Sequence, residues 1–304
     1  MKYKLVDELV SYITNENPFQ KKFLIQSFND IDTNHLDSLN EYLKFCISNG
    51  IELSFIAKSY NFIVKETFKE QIFFNKHKRY RYSSYREVAG SVYMDPEYMK
   101  KYMYGLAITA FLWKQHQLMH VFFEKVLPNN KKGSFLEIGS GHGYYFLKAL
   151  TKTSFDDFTA IDISPTSVEM TKAIVTKSID PSLNKKWNIY ECDFLKMETN
   201  KIYDGLVMGE VLEHVENPYA FLRKIYDLVN SESFVYITTC ANAPEIDHLY
   251  LFKNASEVIE LVQSAGFAIV EKLIVPYSNF TLEETIEKEL PLNIALTLKK
   301  NEQV

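Results

Sequence analysis

The chain has 304 residues, 46% hydrophobic and 24% charged, with a formal net charge of −5. That length buries one large core or two modest ones, and the acidic balance argues against holding a phosphate backbone through excess Lys and Arg, so no nucleic-acid partner is expected. Cys46, Cys192 and Cys240 form no CxxC pair, Asp7 and Glu8 interrupt the N-terminal apolar stretch, and no run approaches the roughly 18 apolar residues of a membrane span. The expectation is a cytoplasmic protein with reduced thiols, no disulfide framework, no metal and no membrane partner.

Residues 1–130 show helical periodicity. Leu5, Leu9, Val10 and Ile13 mark a first helix; Leu36, Leu39, Leu43 and Ile47 mark another that stops at Asn49 and Gly50; Phe55, Tyr60, Ile63, Val64, Phe68, Ile72 and Phe73 mark a longer one. The run KHKRYRYSSYR, with Lys76, His77, Lys78, Arg79, Arg81 and Arg86, breaks the pattern and reads as a solvated connection. Asp95 before Pro96 predicts a capped helix start, with Tyr98, Met99, Tyr102 and Met103 on one face. A further helical pattern runs through Leu112, Gln115, Leu118, Met119 and Phe122 and ends before Pro128.

From Gly133 the grammar changes to short apolar runs alternating with amphipathic segments, which predicts a mostly parallel sheet wrapped by helices. Strands are expected at 134–139, 158–162, 187–192, 205–209, 234–239, 267–275 and 293–299, with helix caps at Ser164, Asn217 and Asn254. The division is therefore a helical cap over residues 1–130 and an α/β domain over 131–304, with the boundary near residues 128–132.

The sharpest motif is FLEIGSGHGYY, residues 135–145, where a buried strand turns into a helix. Gly139, Gly141 and Gly143 remove Cβ atoms so that backbone and ligand approach closely, and the helix offers free N–H groups. A dinucleotide fingerprint would need a third glycine at position 144, where the chain has Tyr144, so a nicotinamide cofactor is disfavoured. Glu137 followed by GxGxG resembles the first motif of the class I S-adenosylmethionine (SAM) dependent methyltransferases, and the resemblance runs over about residues 133–300. GEVLEHVENP, residues 209–218, looks like the EVLEH segment of the ubiquinone-biosynthesis type and its small-molecule relatives.

The resemblance implies a Rossmann-like seven-stranded, mostly parallel sheet and SAM as cofactor. Glu137 and the three glycines would form the turn against it, and Asp162, with Ile163 after it, would hold the ribose, although an Asp there can also cap a helix. Asp193 would accept the adenine amine while Phe194 packs on the ring. Gly209 and Glu210 would lie beside the methionine end, and Glu213 and His214 near the transferred methyl. His214 titrates near neutrality, so it reads either as the base that takes the acceptor's proton or as a structural histidine. His248, before the last helices, is a second proton-handling candidate.

Acceptor specificity would then fall to the cap. Tyr93, Tyr98 and Tyr102, with Trp113 and His116 behind them, are pocket candidates, because rigid rings with hydroxyls can orient a polar aromatic acceptor. The same stripe at helical spacing is equally a packing stripe. The leading reading is methylation of O, N or C on a small-molecule acceptor, and a homodimer is among the assemblies it allows. The competing readings are methylation of a protein or nucleic acid and a non-catalytic SAM-binding regulator. Gly209-Glu210-Val211-Leu212 stands where an Asn/Asp-Pro-Pro-aromatic motif would mark nucleic-acid amine methylation.

Overall fold

The computed structural model describes residues 3–29, 33–180 and 182–301. Seven helices come first: α1 (Lys4–Glu16), α2 (Gln20–Asn29), α3 (Thr33–Ser48), α4 (Leu53–His77), α5 (Tyr85–Val88), α6 (Pro96–Leu112) and α7 (Lys114–Val126), with a π-turn over Ala89–Tyr93. The strands and helices of the second half are β1 (Ser134–Ile138), α8 (Tyr144–Lys152), β2 (Asp157–Asp162), α9 (Pro165–Ser178), β3 (Lys186–Glu191), β4 (Gly205–Gly209), α10 (Pro218–Asp227), β5 (Phe234–Ala241), α11 (Ala255–Ser264), β6 (Phe267–Val275), α12 (Leu282–Glu287) and β7 (Leu292–Lys300).

The sheet order is β3-β2-β1-β4-β5-β7-β6, parallel except for β7, which runs antiparallel between β5 and β6. All five residues of β1 are buried, as a strand covered on both faces requires, whereas the edge strands β3 and β6 expose most of theirs. Side chains alternate across the sheet: Phe135 packs with the helical cap and with α8, and Leu136 and Ile138 pack with α10 and α11 on the other face. Cap and sheet thus share one continuous core on the Phe135 side.

The expected caps are present. Asp95 accepts from the N–H groups of Glu97 and Tyr98, Ser164 from Ser167, Asn217 from Ala220, and Asn254 from Glu257. Three features differ from the sequence reading. Helix α2 carries too little periodicity to announce itself, since Phe19 before it and Ile25 within it are exposed; the Ser27 hydroxyl ties it to the Leu112 carbonyl. Helix α7 buries Gln117, Met119, His120, Phe122 and Phe123 and leaves Leu118 exposed. Although α7 precedes the expected boundary, Phe123 packs 4.9 Å from Tyr236 of β5, so the layer covering the sheet starts at α7.

Candidate active site

At the C-terminal ends of β1, β2 and β4 the chain makes three sharp exits. After β1 the backbone turns through Gly139, Gly141 and Gly143, all at positive φ. Gly139 has φ of 72°, and a Cβ there would stand 2.5 Å from Cγ2 of Val211, so the turn can close against the segment after β4 only with glycine. Asp162 ends β2 and faces this turn: one carboxylate oxygen accepts from the Gly141 N–H at 2.9 Å and the other from the Ser164 N–H at 2.8 Å. Ser164 supplies the cap of α9, which leaves Asp162 aimed into the crevice. Burial pushes the Asp162 carboxyl up from its ordinary value, and those two N–H groups oppose the push. Glu137 lies on the inner side of β1 with Oε2 buried and without a hydrogen-bonding partner; burial and then the Asp162 charge raise its pKa well above the carboxylate range.

Asp193 follows β3, accepts from the Leu195 N–H and pairs with Lys196 at 3.0 Å. Phe194, expected on the adenine, is instead a core residue, packed 5.3 Å from Phe221. It opens the 3₁₀ turn Phe194–Lys196 directly after Asp193. Ile163, half-buried beside Asp162, remains on the crevice side of that turn.

The far end of the crevice is built after β4. Glu210 sits at φ 51°, uncommon for a residue with a Cβ, and is held there by its N–H bonded to the Thr238 carbonyl and hydroxyl. Burial and then the neighbouring Glu213 charge raise the Glu210 pKa well above the usual range. Glu213 is fully buried; Thr239 donates to its Oε2 at 2.7 Å, and its backbone carbonyl accepts from the Leu249 and Tyr250 N–H groups, latching the loop after β5.

That loop delivers Asp247. Its carboxylate accepts from the Tyr102 hydroxyl at 2.7 Å and the Tyr93 hydroxyl at 3.0 Å, and lies 3.3 Å from Nδ1 of His214. Burial alone would push the His214 ring down, but Asp247 beside it, the hydrogen bond to that carboxylate and the buried Glu213 reverse this and carry it up to about 10. Burial raises Asp247 in turn, and the His214 charge overcomes it, holding the carboxyl well below its usual range. These neighbours favour the protonated ring of His214, whose Nδ1 also faces the Asp247 backbone carbonyl at 3.2 Å. His248, 4.7 Å from His214 ring to ring, is the opposite case: burial and then the His214 charge push it down to about 4. The Ala243 carbonyl lies 2.6 Å from its Nδ1, which places the proton of the neutral ring on that nitrogen.

Of the five cap candidates, Tyr93 and Tyr102 reach this cluster and Tyr98 stacks on Tyr102 at 6.0 Å. Trp113 and His116 do not reach it: Trp113 donates to the Tyr60 hydroxyl and His116 bonds to Thr109, both within the helix packing. From sequence, Asp247 has no site role and Met103 only a place on a helix face, yet the Met103 sulfur lies 4.0 Å from where a Gly141 Cβ would stand. Among the described residues, Glu213, Cys240 and His248 form one group, and His214, Asp247 and His248 another, with ligand atoms within 4.8 Å, although no metal was expected from the sequence. A separate cavity of about 700 Å³, lined by Tyr42, Phe45, Phe111, His142, Tyr144 and Lys177 among others, touches the glycine turn at His142 and contains none of these acids.

A family model described as "Methyltransferase domain" matches residues 112–272, more than half of the chain. The chain belongs to this family of class I, SAM-dependent methyltransferases. This methyltransferase is 23% identical over 189 residues to the "Ubiquinone biosynthesis O-methyltransferase" of Rickettsia canadensis, covering 56% of this chain and 77% of the relative. The solved mitomycin 7-O-methyltransferase MmcR matches with a TM-score of 0.53 at 12% identity, over 82% of this chain and 70% of that one. The phosphoethanolamine N-methyltransferase 2 of Haemonchus contortus matches with the same score at 13% identity, over 73% and 61%. At those identities the two structures share the fold. Among the described residues no helix is long and apolar enough to cross a membrane.

Proposed function

We propose that this methyltransferase binds SAM between the glycine turn and Asp162 and methylates an oxygen of a small, acidic hydroxyl-bearing acceptor. The residues fit the cofactor: Asp162 offers lone pairs to sugar hydroxyls, Asp193 to an exocyclic amine, and the buried, unpartnered Oε2 of Glu137 faces the side where a cationic amino-acid end would sit. Bound there, SAM would supply a methyl group already activated on its sulfonium.

The protein's own contribution is then positioning and charge. The observation that carries the acceptor reading is the half-buried His214 ring, 3.3 Å from the Asp247 carboxylate and flanked by Tyr93. A cation at that spot lowers the pKa of a nearby phenol-type hydroxyl and holds the resulting oxygen anion in place, so no strong base is required. Tyr93 and Tyr102 stay protonated, since burial and the Asp247 charge push both well above 10, and they remain hydrogen-bond donors. The ubiquinone-biosynthesis relative, named as an O-methyltransferase, supports the choice of oxygen.

Calorimetric titration with S-adenosylhomocysteine tests the cofactor site. Asp162→Ala should weaken binding at least tenfold, because hydrogen bonds to a charged group are among the stronger kind. Unchanged affinity in that variant would remove the sugar assignment. Methyl-labelled SAM offered with catechols, aromatic amines and carbon acids tests the acceptor: label on nitrogen or carbon and none on oxygen overturns it.

A further inference from the structure

Residues 79–94 join α4 to α6 and cross the open ends of β2 and β4 as a strap. At one end Arg81 grips Glu70 with its Nε, 3.0 Å from both carboxylate oxygens; at the other Asp95 caps α6. Along the strap Tyr93 bonds to Asp247, Tyr80 packs on His248, and Val88 and Val92 are buried, so it lifts only by releasing these contacts. The Tyr85 N–H donates to Oε1 of Glu216 at 2.8 Å, and the Tyr85 ring stacks on Tyr93 at 5.6 Å and 24°. Lys76, Lys78, Arg79 and Arg86 on and beside it are exposed.

The Tyr85 hydroxyl is closed off from solvent and has no hydrogen-bonding partner. A buried polar group without a partner is uncommon and points to a partner that arrives. Burial, then the charges of Asp193 and Asp162, raise the pKa of this hydroxyl, so it lies within the field of both crevice acids and keeps its proton. Those acids can only accept hydrogen bonds, whereas adenosine presents acceptors too, in its ring nitrogens and furanose oxygen. Tyr85 adds a donor beside these two acids, one of which, Asp193, is already paired with Lys196.

Resting on the cofactor site above, we propose that Tyr85 is a binding residue for the adenosyl half of SAM, its hydroxyl donating to the nucleoside, and that strap 79–94 is the lid that carries it. Cofactor would enter when the strap lifts and would then hold it down. The cap thereby serves the cofactor as well as the acceptor, with Tyr85 over the nucleoside and the stacked Tyr93 over His214.

The test uses the full chain, with S-adenosylhomocysteine and 5′-methylthioadenosine, which lacks the amino-acid end, as probes. Tyr85→Phe should weaken both by a similar factor, about five- to tenfold, the range for one hydrogen bond. Its melting temperature without ligand should be unchanged or higher, because the substitution deletes an unpartnered hydroxyl. Saturating S-adenosylhomocysteine should slow tryptic cleavage at Arg79 and Arg86 in the native protein, and slow it less in the variant. If Tyr85→Phe binds both probes like the native protein while Asp162→Ala loses them, the Tyr85 assignment is wrong and the cofactor site stands. Weakened S-adenosylhomocysteine with unchanged methylthioadenosine binding also overturns it, by moving Tyr85 to the amino-acid end. Cleavage indifferent to ligand removes the lid. If the native protein binds neither probe, or Asp162→Ala binds both normally, the cofactor reading fails and takes this one with it.

Discussion

The two ends of the crevice are built differently. At the glycine turn the groups come from consecutive strand exits: Gly141 and Asp162 are 21 residues apart, and the Gly141 backbone N–H donates directly to the Asp162 carboxylate. At the other end Tyr93 and Asp247, 154 residues apart, meet through side chains alone, and a single buried carboxylate serves two tyrosines and a histidine. The first end is stiff because backbone geometry dictates it. The second is held by charge, so its energy depends on protonation and on every member being present.

The largest expected effect follows from that dependence. Asp247→Ala leaves two buried hydroxyls and a histidine without their acceptor and should cost about 3–5 kcal/mol in denaturant unfolding, the range for breaking a buried pair. A loss below about 1 kcal/mol would mean the cluster is not a unit. Gly139→Ala attacks the other end: at φ 72° with Val211 in the way, it should cost about 1–3 kcal/mol and weaken S-adenosylhomocysteine binding, whereas Asp247→Ala should spare that binding. Equal loss of ligand in both variants would erase the distinction between the ends.

The cluster also predicts a pH dependence. The folded His214 titrates near 10 against about 6.5 when unfolded, so its contribution to stability is fully present below pH ~6.5 and disappears as pH rises through 10. The groups that set this are Asp247, Glu213, Tyr93 and His248. Melting temperatures between pH 6 and 10.5 should therefore fall in the native protein and stay flatter in His214→Gln. Parallel curves would place the ring's pKa near its ordinary value.

The same contrast explains what could be read in advance. Strand positions, caps and the acids after β1, β2 and β3 follow from local rules, since a turn, a cap or a strand end involves neighbours in sequence. The packing of Phe194 escaped those rules because its ring partner, Phe221, lies 27 residues on, in α10. The charge state of His214 lay out of reach entirely, for Asp247 is 33 residues away and only the loop latched to the Glu213 carbonyl brings it near. The run around Arg81 and Tyr85 looked like solvated chain because its polar residues are alternately exposed and buried, as Tyr80 and the Tyr85 hydroxyl show.

The position of β7 has a consequence for how the chain comes into being. β5 ends at Ala241 and its neighbour begins at Leu292, so a growing chain presents the bare edge of β5 until roughly fifty further residues have emerged, several seconds at ~5–20 residues per second. Until then β6 has nothing to pair with either, because β7 alone joins it to the sheet. Unpaired edges invite association with other chains. Expression conditions that slow translation over this stretch should therefore raise the aggregated fraction.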